Sequence, residues 1–389
     1  MNTPNKSPFF SLINLIRILV GLLFIFSGFI KLNDPLGFSY KLDEYFEVFG
    51  IEYLKFSSLF LSIFFCSLEI ILGFALLIGF KIRWVVPGIF LLILFFTFLT
   101  FYSAYFNKVT ECGCFGDAIK LTPWQSFYKN LVLTAAILIL LFFQSKISAF
   151  GSKKTHLILM ASILILTLGF GFYSYYYLPL LDFLPYKVGN HIPDLMEIPK
   201  GEQGDVFSVM YTLKNSKTGE VKTLTDKDYI STKIYENHDW VYIKASEPIL
   251  VKSGYQAPAK DFKVNDSSGK EITQSLLQDS GYTLWVVEYD LRKTPPEFQD
   301  PINRLALDLK KSGVKTVGLS SQTYSELGKI LSPFHLTYSF YICDAVPLKS
   351  MVRSNPGLVL VHSGTVIAKW SAHSLPKQEE ILKLCKSRF

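Results

Sequence analysis

The sequence predicts an α-helical membrane bundle in its N-terminal half, followed by a β-rich segment and an α/β domain. Half of the 389 residues are hydrophobic and 15% are aromatic, a composition that is too apolar for an ordinary soluble domain. The apolar residues form long runs before about residue 180, and the later sequence is typical of soluble protein. The net charge is +7, and no basic cluster with interleaved aromatics indicates nucleic-acid binding, so we expect no nucleic-acid partner.

Five apolar runs are long enough to cross a bilayer, which takes roughly 20 helical residues. The fourth run is the shortest, and it begins beside Lys129 and Asn130, whose side chains can reach the interface. We expect no cleavable signal peptide, because no small-residue cleavage site precedes Lys31. The predicted spans are residues 9–30, 57–79, 84–106, 127–143 and 156–178.

The charges between the apolar runs predict how the bundle is oriented. Lys6, Lys81 and Lys153 lie in alternate connections, and basic residues favour the cytoplasmic side. The connection 31–56, on the opposite side, contains acidic residues mixed with lysines. We therefore expect a multi-pass protein of the cell inner membrane in contact with the lipid bilayer. Its N-terminus is expected in the cytoplasm and residues 180–389 in the periplasm.

Two cysteines stand one residue apart in the sequence CGC, on the expected periplasmic face. That compartment is oxidising, and Gly113 gives the backbone the freedom that a bridge between Cys112 and Cys114 needs. Strained bridges tend to be labile, whereas a structural bridge stabilises more when it closes a longer loop. These arguments favour a redox pair over a structural disulfide, which stays open as the alternative.

A metal site is the weakest interpretation of these thiols. Structural zinc usually takes four cysteine or histidine ligands. None of the six histidines lies in the first four apolar runs or in their connections. We therefore expect no metal.

The sequence LTPWQ just after the thiols is typical of a helix start. Thr122 is expected as the N-cap, Pro123 as the first helical residue and Gln125 as the third, which is a capping-box pattern. The thiols should therefore lie on a short loop before the fourth span. A helix N-terminus close to a cysteine favours its thiolate form.

Arg17 and Glu69 fall inside the predicted spans, where charge is costly and usually paired or functional. Counting 1.5 Å per residue puts them about 12 Å and about 15 Å from the cytoplasmic ends of their runs. We therefore expect these two residues to form an ion pair. The pair is either a static packing feature or a device that handles protons during thiol oxidation. Cys66 shares the helical face of Glu69 and is expected to be a small buried hydrophobic residue.

Three stretches of the first half resemble a known family. They are RILVGLLFIFSGFIKLNDPLGFSYKLDEYF (17–46), Glu69 with the following Leu72-Gly73, and CGCFGD (112–117). The pattern resembles the DoxX/MauE family of small four-helix membrane proteins, in the two-domain form seen in Bacteroidetes. The most specific parts are SGFIKLNDP (27–35) and CGCFGD.

The resemblance implies a four-helix DoxX/MauE-like bundle over residues 1–150, to which residues 151–180 add a fifth transmembrane helix. MauE-like proteins are associated with methylamine utilisation and with disulfide formation in the periplasm. The amine context does not carry over, because the sequence contains no sign of a dehydrogenase partner. The resemblance makes Cys112 and Cys114 the redox pair, with family-typical polar positions at Arg17, Lys31, Asp34 and Glu69.

The second half divides into two parts. Residues 186–254 alternate apolar and polar residues and turn at Lys217-Thr218-Gly219, which predicts a β-rich segment. Residues 255–389 have the order of a mixed α/β unit. Its predicted strands are 283–290, 314–320, 337–343, 357–364 and 365–370, the last two forming a hairpin, and its predicted helices are 298–311, 323–331 and 376–386.

Two stretches of the α/β unit, 253–272 and 354–370, resemble the thioredoxin-like fold of peroxiredoxins and thiol reductases. Pro356 stands where that family has its cis-proline. The family's C-x-x-C is replaced here by LRKTPPE (291–297), so this domain is not expected to catalyse exchange alone. Cys343 and Cys385 are expected to be buried or idle, although a bridge between them stays open. The groove near Pro356 is a candidate site for a partner.

Two functional hypotheses follow from these patterns. In the first, the Cys112/Cys114 pair exchanges electrons with an extracytoplasmic thiol or disulfide protein, with a membrane quinone as a candidate cofactor. In the second, the protein is a non-enzymatic membrane-tethered scaffold or binding module whose thiols tie a loop. Small-solute transport has less support, because few intramembrane charges and no internal repeat offer a pathway.

Overall fold

The computed structural model describes residues 8–109, 113–252 and 254–386. Among these residues, the N-terminal half has five helices that are long and apolar enough to cross a membrane, which confirms a multi-pass membrane protein. A shorter helix, α2, lies between the first two of them. The bounds are α1 Pro8–Asn33, α2 Pro35–Val48, α3 Ser58–Ile78, α4 Ile82–Phe106, α5 Pro123–Phe142 and α6 Lys153–Tyr176.

Helix α2 lies in the segment that the sequence analysis treats as a connection, 31–56, and that description is wrong for residues 35–48. Asp34 caps the helix by accepting a hydrogen bond from the Gly37 backbone N–H at 2.9 Å, and Pro35 follows at the first helical position. Phe38, Leu42 and Tyr45 are buried on one face. The cap, the proline and this i, i+4, i+7 spacing were readable from the sequence.

Helices α1 and α3 are antiparallel neighbours, and glycines let their backbones approach closely. A Cβ atom at Gly73 would lie 2.8 Å from the Gly21 carbonyl oxygen. A Cβ atom at Gly28 would lie 2.7 Å from the Cys66 carbonyl oxygen. Small residues at helix contacts are a common basis of packing in membranes, because no hydrophobic force joins helices there.

The first part of the C-terminal half contains a short helix, α7 (Ile192–Met196), followed by two small antiparallel sheets. One sheet has the order β3-β2-β4, and a two-stranded ladder joins β1 to β5. The bounds are β1 Val206–Ser208, β2 Met210–Asn215, β3 Val221–Thr225, β4 Trp240–Ala245 and β5 Ile249–Lys252, with helix α8 Asp226–Ser231 before β4.

The rest of the chain forms a six-stranded mixed sheet with the order β11-β10-β7-β8-β9-β6. Strands β7, β8 and β9 are parallel, and β10 and β11 form an antiparallel hairpin. The strands are β6 Val264–Asn265, β7 Tyr282–Glu288, β8 Lys315–Ser320, β9 Phe340–Cys343, β10 Gly357–His362 and β11 Thr365–Ser371. The helices are α9 Thr273–Leu277, α10 Gln299–Lys311, α11 Tyr324–Leu331, α12 Ala345–Met351 and α13 Gln378–Lys386.

This arrangement confirms the predicted α/β unit, and the Asn355–Pro356 peptide bond is cis as the thioredoxin-like resemblance implies. Alternate residues of β7 point to opposite faces of the sheet. Cys343 packs on the face of Trp285, whereas Cys385 packs on the face of Leu284. Both cysteines are free. The bridge between them that the sequence left open does not form, because the sheet separates the two thiols.

We expect Gly73→Ala to destabilise the protein, because the added methyl group would meet a backbone atom that cannot rotate away. The expected cost is about 1–3 kcal/mol, which is the usual effect of overpacking, and it would be measured as a lower midpoint of denaturation in detergent. The control is Gly169→Ala in α6, where an added Cβ meets nothing within 4 Å. Equal midpoints for the two variants would contradict the close approach of α1 and α3.

Candidate redox site at the thiol loop

The thiol loop, residues 107–122, connects α4 to α5 and contains both cysteines of the CGC sequence. Cys112 lies outside the described residues, so the structure does not test its proximity to Cys114. Cys114 is half-buried, and its carbonyl oxygen accepts a hydrogen bond from the Ser27 hydroxyl of α1 at 3.0 Å. Phe115 is buried against the ring of Phe26. This part of the loop therefore folds onto the bundle.

Cys114 lines a pocket inside the bundle, which we call the inner pocket. It lies between α1, α2, α3, α4 and α5 and has a cavity volume of about 40 Å³. Its walls are mainly apolar, with Phe38 and Phe96 among them, and its polar lining includes Ser27, Lys31, Glu69 and Asn130. A half-buried thiol thus faces the same space as a buried acid and a buried base.

Lys31 and Glu69 form an ion pair at this pocket, and each side chain is 3% exposed. The Lys31 ammonium also lies 4.7 Å from the centre of the Phe96 ring, a cation–π contact. Among the described residues, the Glu69 Oε2 atom finds no hydrogen-bond partner. Removing either partner of a buried ion pair leaves an uncompensated charge, so the two residues depend on each other.

The expected Arg17–Glu69 pair is wrong, because Glu69 pairs with Lys31. Gly21 faces Gly73 across the α1–α3 contact, which places Glu69 level with residue 25 of α1. Eight residues of helix, about 12 Å, therefore separate that level from Arg17. The sequence argument measured depth from the ends of apolar runs, and those ends are not level in the folded bundle.

Arg17 contacts backbone carbonyls near the opposite end of α3. Its side chain donates hydrogen bonds to the Leu76 carbonyl at 2.8 Å and to the Ser148 carbonyl at 3.1 Å. The last carbonyls of a helix lack partners and carry a partial negative charge, which a cation near them compensates. Arg17 therefore stabilises the end of α3 and lies apart from the inner pocket that Cys114 lines.

The predicted helix start after the thiols is confirmed. Thr122 caps α5, with a reciprocal capping box to Gln125 and proline at the first helical position. A small cavity is lined by both Cys114 and Ser126 of the first turn of α5. Cys114 and the first turn of α5 therefore line the same small cavity.

Cys66 is fully buried in α3 and packs with Leu32 and Ile63. This environment fits the expected role as a small hydrophobic residue. It does not place Cys66 on a surface that an external disulfide can reach.

The C-terminal α/β part contacts both the thiol loop and α2. The Arg353 guanidinium lies 2.8 Å from an Asp34 carboxylate oxygen and 3.1 Å from an Asp117 carboxylate oxygen. The Tyr40 hydroxyl of α2 donates a hydrogen bond to the Tyr289 hydroxyl at 3.0 Å. Sequence reasoning missed Arg353, because nothing local distinguishes it from a surface arginine.

Where a thioredoxin would have C-x-x-C, the chain forms two short 3₁₀ turns, Leu291–Lys293 and Pro296–Phe298. Beneath them the Glu288 carboxyl is fully buried, and the Gln299 amide donates a hydrogen bond to it at 2.7 Å. Burial raises the pKa of Glu288 to about 7. The domain therefore has a protonatable group beneath this position.

The match to known proteins agrees with this division of the chain. Residues 10–143 match the family model described as "Methylamine utilisation protein MauE". This part of the chain is similar to MauE-type membrane proteins. The α/β part is an additional C-terminal domain attached to it.

One curated relative extends beyond that domain. "Protein TlpB" of Flavobacterium psychrophilum is 27% identical over 267 residues, which cover 66% of this chain and 66% of that protein. The chain thus spans about two thirds of the length of this relative. The similarity reaches further than the 134 residues between 10 and 143 that the MauE model matches.

We expect Lys31→Met to lower the free energy of unfolding in detergent by about 3–5 kcal/mol, because Glu69 would be left charged and buried. The double variant with Glu69→Leu should recover most of that loss. The matched control combines Arg17→Met with Glu69→Leu, whose effects should add. The observed pairing would be contradicted if Glu69→Leu recovered stability in the Arg17→Met variant and not in the Lys31→Met variant.

The raised pKa of Glu288 makes stability depend on pH. Since the folded state holds this proton up to about pH 7 and the unfolded chain releases it at a lower pH, stability should fall as pH rises between the two values. Glu288→Gln should therefore raise the thermal midpoint at pH 8.5 and change it little at pH 4. The exposed Glu297, replaced by Gln, is the control. A stabilisation that is independent of pH would contradict this titration.

Proposed function

We propose that the protein carries out thiol–disulfide exchange at the periplasmic face of the inner membrane through Cys112 and Cys114. The observation that carries the proposal is the place of Cys114. It faces a pocket with a buried ion pair and lies beside the first turn of α5, whereas a bridge that only ties a loop needs neither. The resemblance to MauE-type proteins supports the same chemistry.

The exchange step balances with a partner that carries two thiols. A partner thiolate attacks one sulfur of the Cys112–Cys114 disulfide, a mixed disulfide forms, and the other cysteine leaves as thiolate. The second thiol of the partner then attacks the mixed disulfide, which releases the oxidised partner. Two electrons and two protons pass to the Cys112/Cys114 pair. The partner class is an extracytoplasmic dithiol protein.

Lys31 and Glu69 are the residues placed to assist Cys114. The positive charge of Lys31 favours a nearby thiolate. The Glu69 Oε2 atom, which lacks a hydrogen-bond partner among the described residues, is placed to accept a proton. Both side chains are buried, where electrostatic effects are stronger than in water.

A membrane quinone is the candidate electron acceptor, and the inner pocket would have to widen to admit its head group. The walls are apolar, and Lys31, Lys129 and Asn130 offer hydrogen-bond donors for carbonyl oxygens. A bound quinone would supply a two-electron acceptor for the reduced pair.

The distribution of charge supports the proposed side of the membrane. Lys81 precedes α4 and Lys153 begins α6, at the end of the bundle where α1 starts. The thiol loop, α2 and the α/β part contact one another at the other end. Because basic residues favour the cytoplasm, the thiol loop is assigned to the periplasm.

The proposal is tested with purified protein whose other cysteines, Cys66, Cys343 and Cys385, are replaced by serine. The oxidised protein should oxidise one equivalent of a synthetic dithiol peptide, because its disulfide accepts two electrons. Cys112→Ser and Cys114→Ser should each reduce peptide oxidation to background. The variant that keeps the more reactive cysteine should form a mixed disulfide with a disulfide-linked peptide dimer, because its thiolate attacks the dimer and one peptide leaves as a thiol. The readout is mass spectrometry after acid quenching and alkylation.

The alternative, a scaffold with a structural disulfide, is favoured by the lack of cysteine at 291–297 in the C-terminal domain. Equilibration of the pair in glutathione buffers separates the two functions. Structural disulfides have potentials below about −300 mV, whereas exchange proteins of oxidising compartments lie at about −120 to −180 mV. A potential below about −300 mV with no peptide oxidation would overturn the exchange proposal.

A further inference from the structure

Arg353 joins the C-terminal domain to two parts of the membrane domain at once. Its Nε atom donates to Asp34, and a terminal nitrogen donates to Asp117. Asp34 is also the N-cap of α2. Asp117 belongs to the thiol loop, three residues after Cys114. The buried Arg353 guanidinium thus connects the thiol loop, the start of α2 and the cis-proline segment.

The surroundings of Arg353 make this contact strong. The residue is 6% exposed, and removing it would take one charge-assisted hydrogen bond away from each of the two carboxylates. The guanidinium carbon also lies 5.5 Å from the Tyr40 ring centre, and the Lys349 ammonium lies 4.5 Å from the same ring. The cluster therefore combines charge-assisted hydrogen bonds with aromatic contacts.

The groove beside Pro356 is covered by the chain's own membrane domain. The Tyr40 ring of α2 packs against the Tyr289 ring at the end of β7. Asn355 ties the cis-proline segment to the same place, because its amide donates to the Asp290 carbonyl at 2.7 Å. The surface that the sequence suggested for an external partner thus receives α2 and the thiol loop.

We propose that Arg353 is a positioning residue for the thiol loop. By holding Asp117, it keeps the loop folded against the bundle, so that Cys114 faces the inner pocket. Loss of the Arg353 contact would release the loop to the aqueous phase while the helices stay packed. The consequence for exchange rests on the proposed function, whereas the positioning of Cys114 does not.

The test measures how fast Cys114 reacts with a membrane-impermeant maleimide in the reduced full-length protein. Cys112, Cys343 and Cys385 are replaced by serine, and Cys66 is kept, because its burial inside α3 makes it a reporter of bundle opening. Arg353→Gln should raise the alkylation rate of Cys114 about tenfold and leave Cys66 unreactive. The matched control is Arg292→Gln, which removes an exposed arginine that pairs with Asp290 in the same domain.

Asp117→Asn provides a second variant, because it weakens the loop contact and leaves Arg353 paired with Asp34. It should also raise the Cys114 rate without exposing Cys66. Unchanged Cys114 rates in both variants would overturn the proposal. A simultaneous rise for Cys66 in both would also overturn it, since Arg353 would then support the whole bundle instead of the loop.

The outcome is independent of the exchange chemistry. If the dithiol peptide is not oxidised but Arg353→Gln makes Cys114 react faster, the proposed role of Arg353 is supported and the proposed exchange function is overturned. If the peptide is oxidised but the alkylation rate of Cys114 is unchanged, the exchange function is supported and the proposed role of Arg353 is overturned.

Discussion

The close packing of α1 against α3 is the constraint on which the rest of the structure depends. Gly21, Gly28 and Gly73 allow the two backbones to approach, and the resulting register brings Lys31 to Glu69. In a bilayer, a buried charge with no partner costs several kcal/mol. The register of these two helices therefore decides that Lys31 pairs with Glu69. The place of this pair in turn decides where a polar pocket forms inside the apolar bundle.

The second level of organisation is the contact between the membrane bundle and the C-terminal domain. Helix α2 and the thiol loop form one surface, and the segment around Pro356 forms the other. Acidic residues of the membrane domain meet a basic residue of the α/β domain. Asn33 adds a further connection, because its amide exchanges two hydrogen bonds with the Leu181 backbone after α6. The α/β domain thus faces the part of the thiol loop that contains Cys114, although it has no C-x-x-C of its own.

In the proposed function, this arrangement would separate two tasks that a thioredoxin combines in one domain. The membrane domain contributes the thiols, the charged pair and the pocket. The α/β domain contributes a docking surface with a cis-proline segment. The buried Cys343, whose pKa is raised to about 12 by burial, is poorly suited to exchange because thiolate is the reactive form. The redox chemistry proposed here is therefore assigned to the thiol loop.

The sequence by itself determined the elements whose signals are local: five spans, the capped start of α5, and the longer strands and helices of the α/β part. Hydrophobic period, caps and length act within a few residues, so these features could be predicted. Only the tertiary structure decided that Glu69 pairs with Lys31 instead of Arg17 and that Arg353 reaches Asp34 and Asp117, 319 and 236 residues away. Such pairings depend on interhelical register and on domain docking, which are set by packing between distant segments and leave no pattern along the chain.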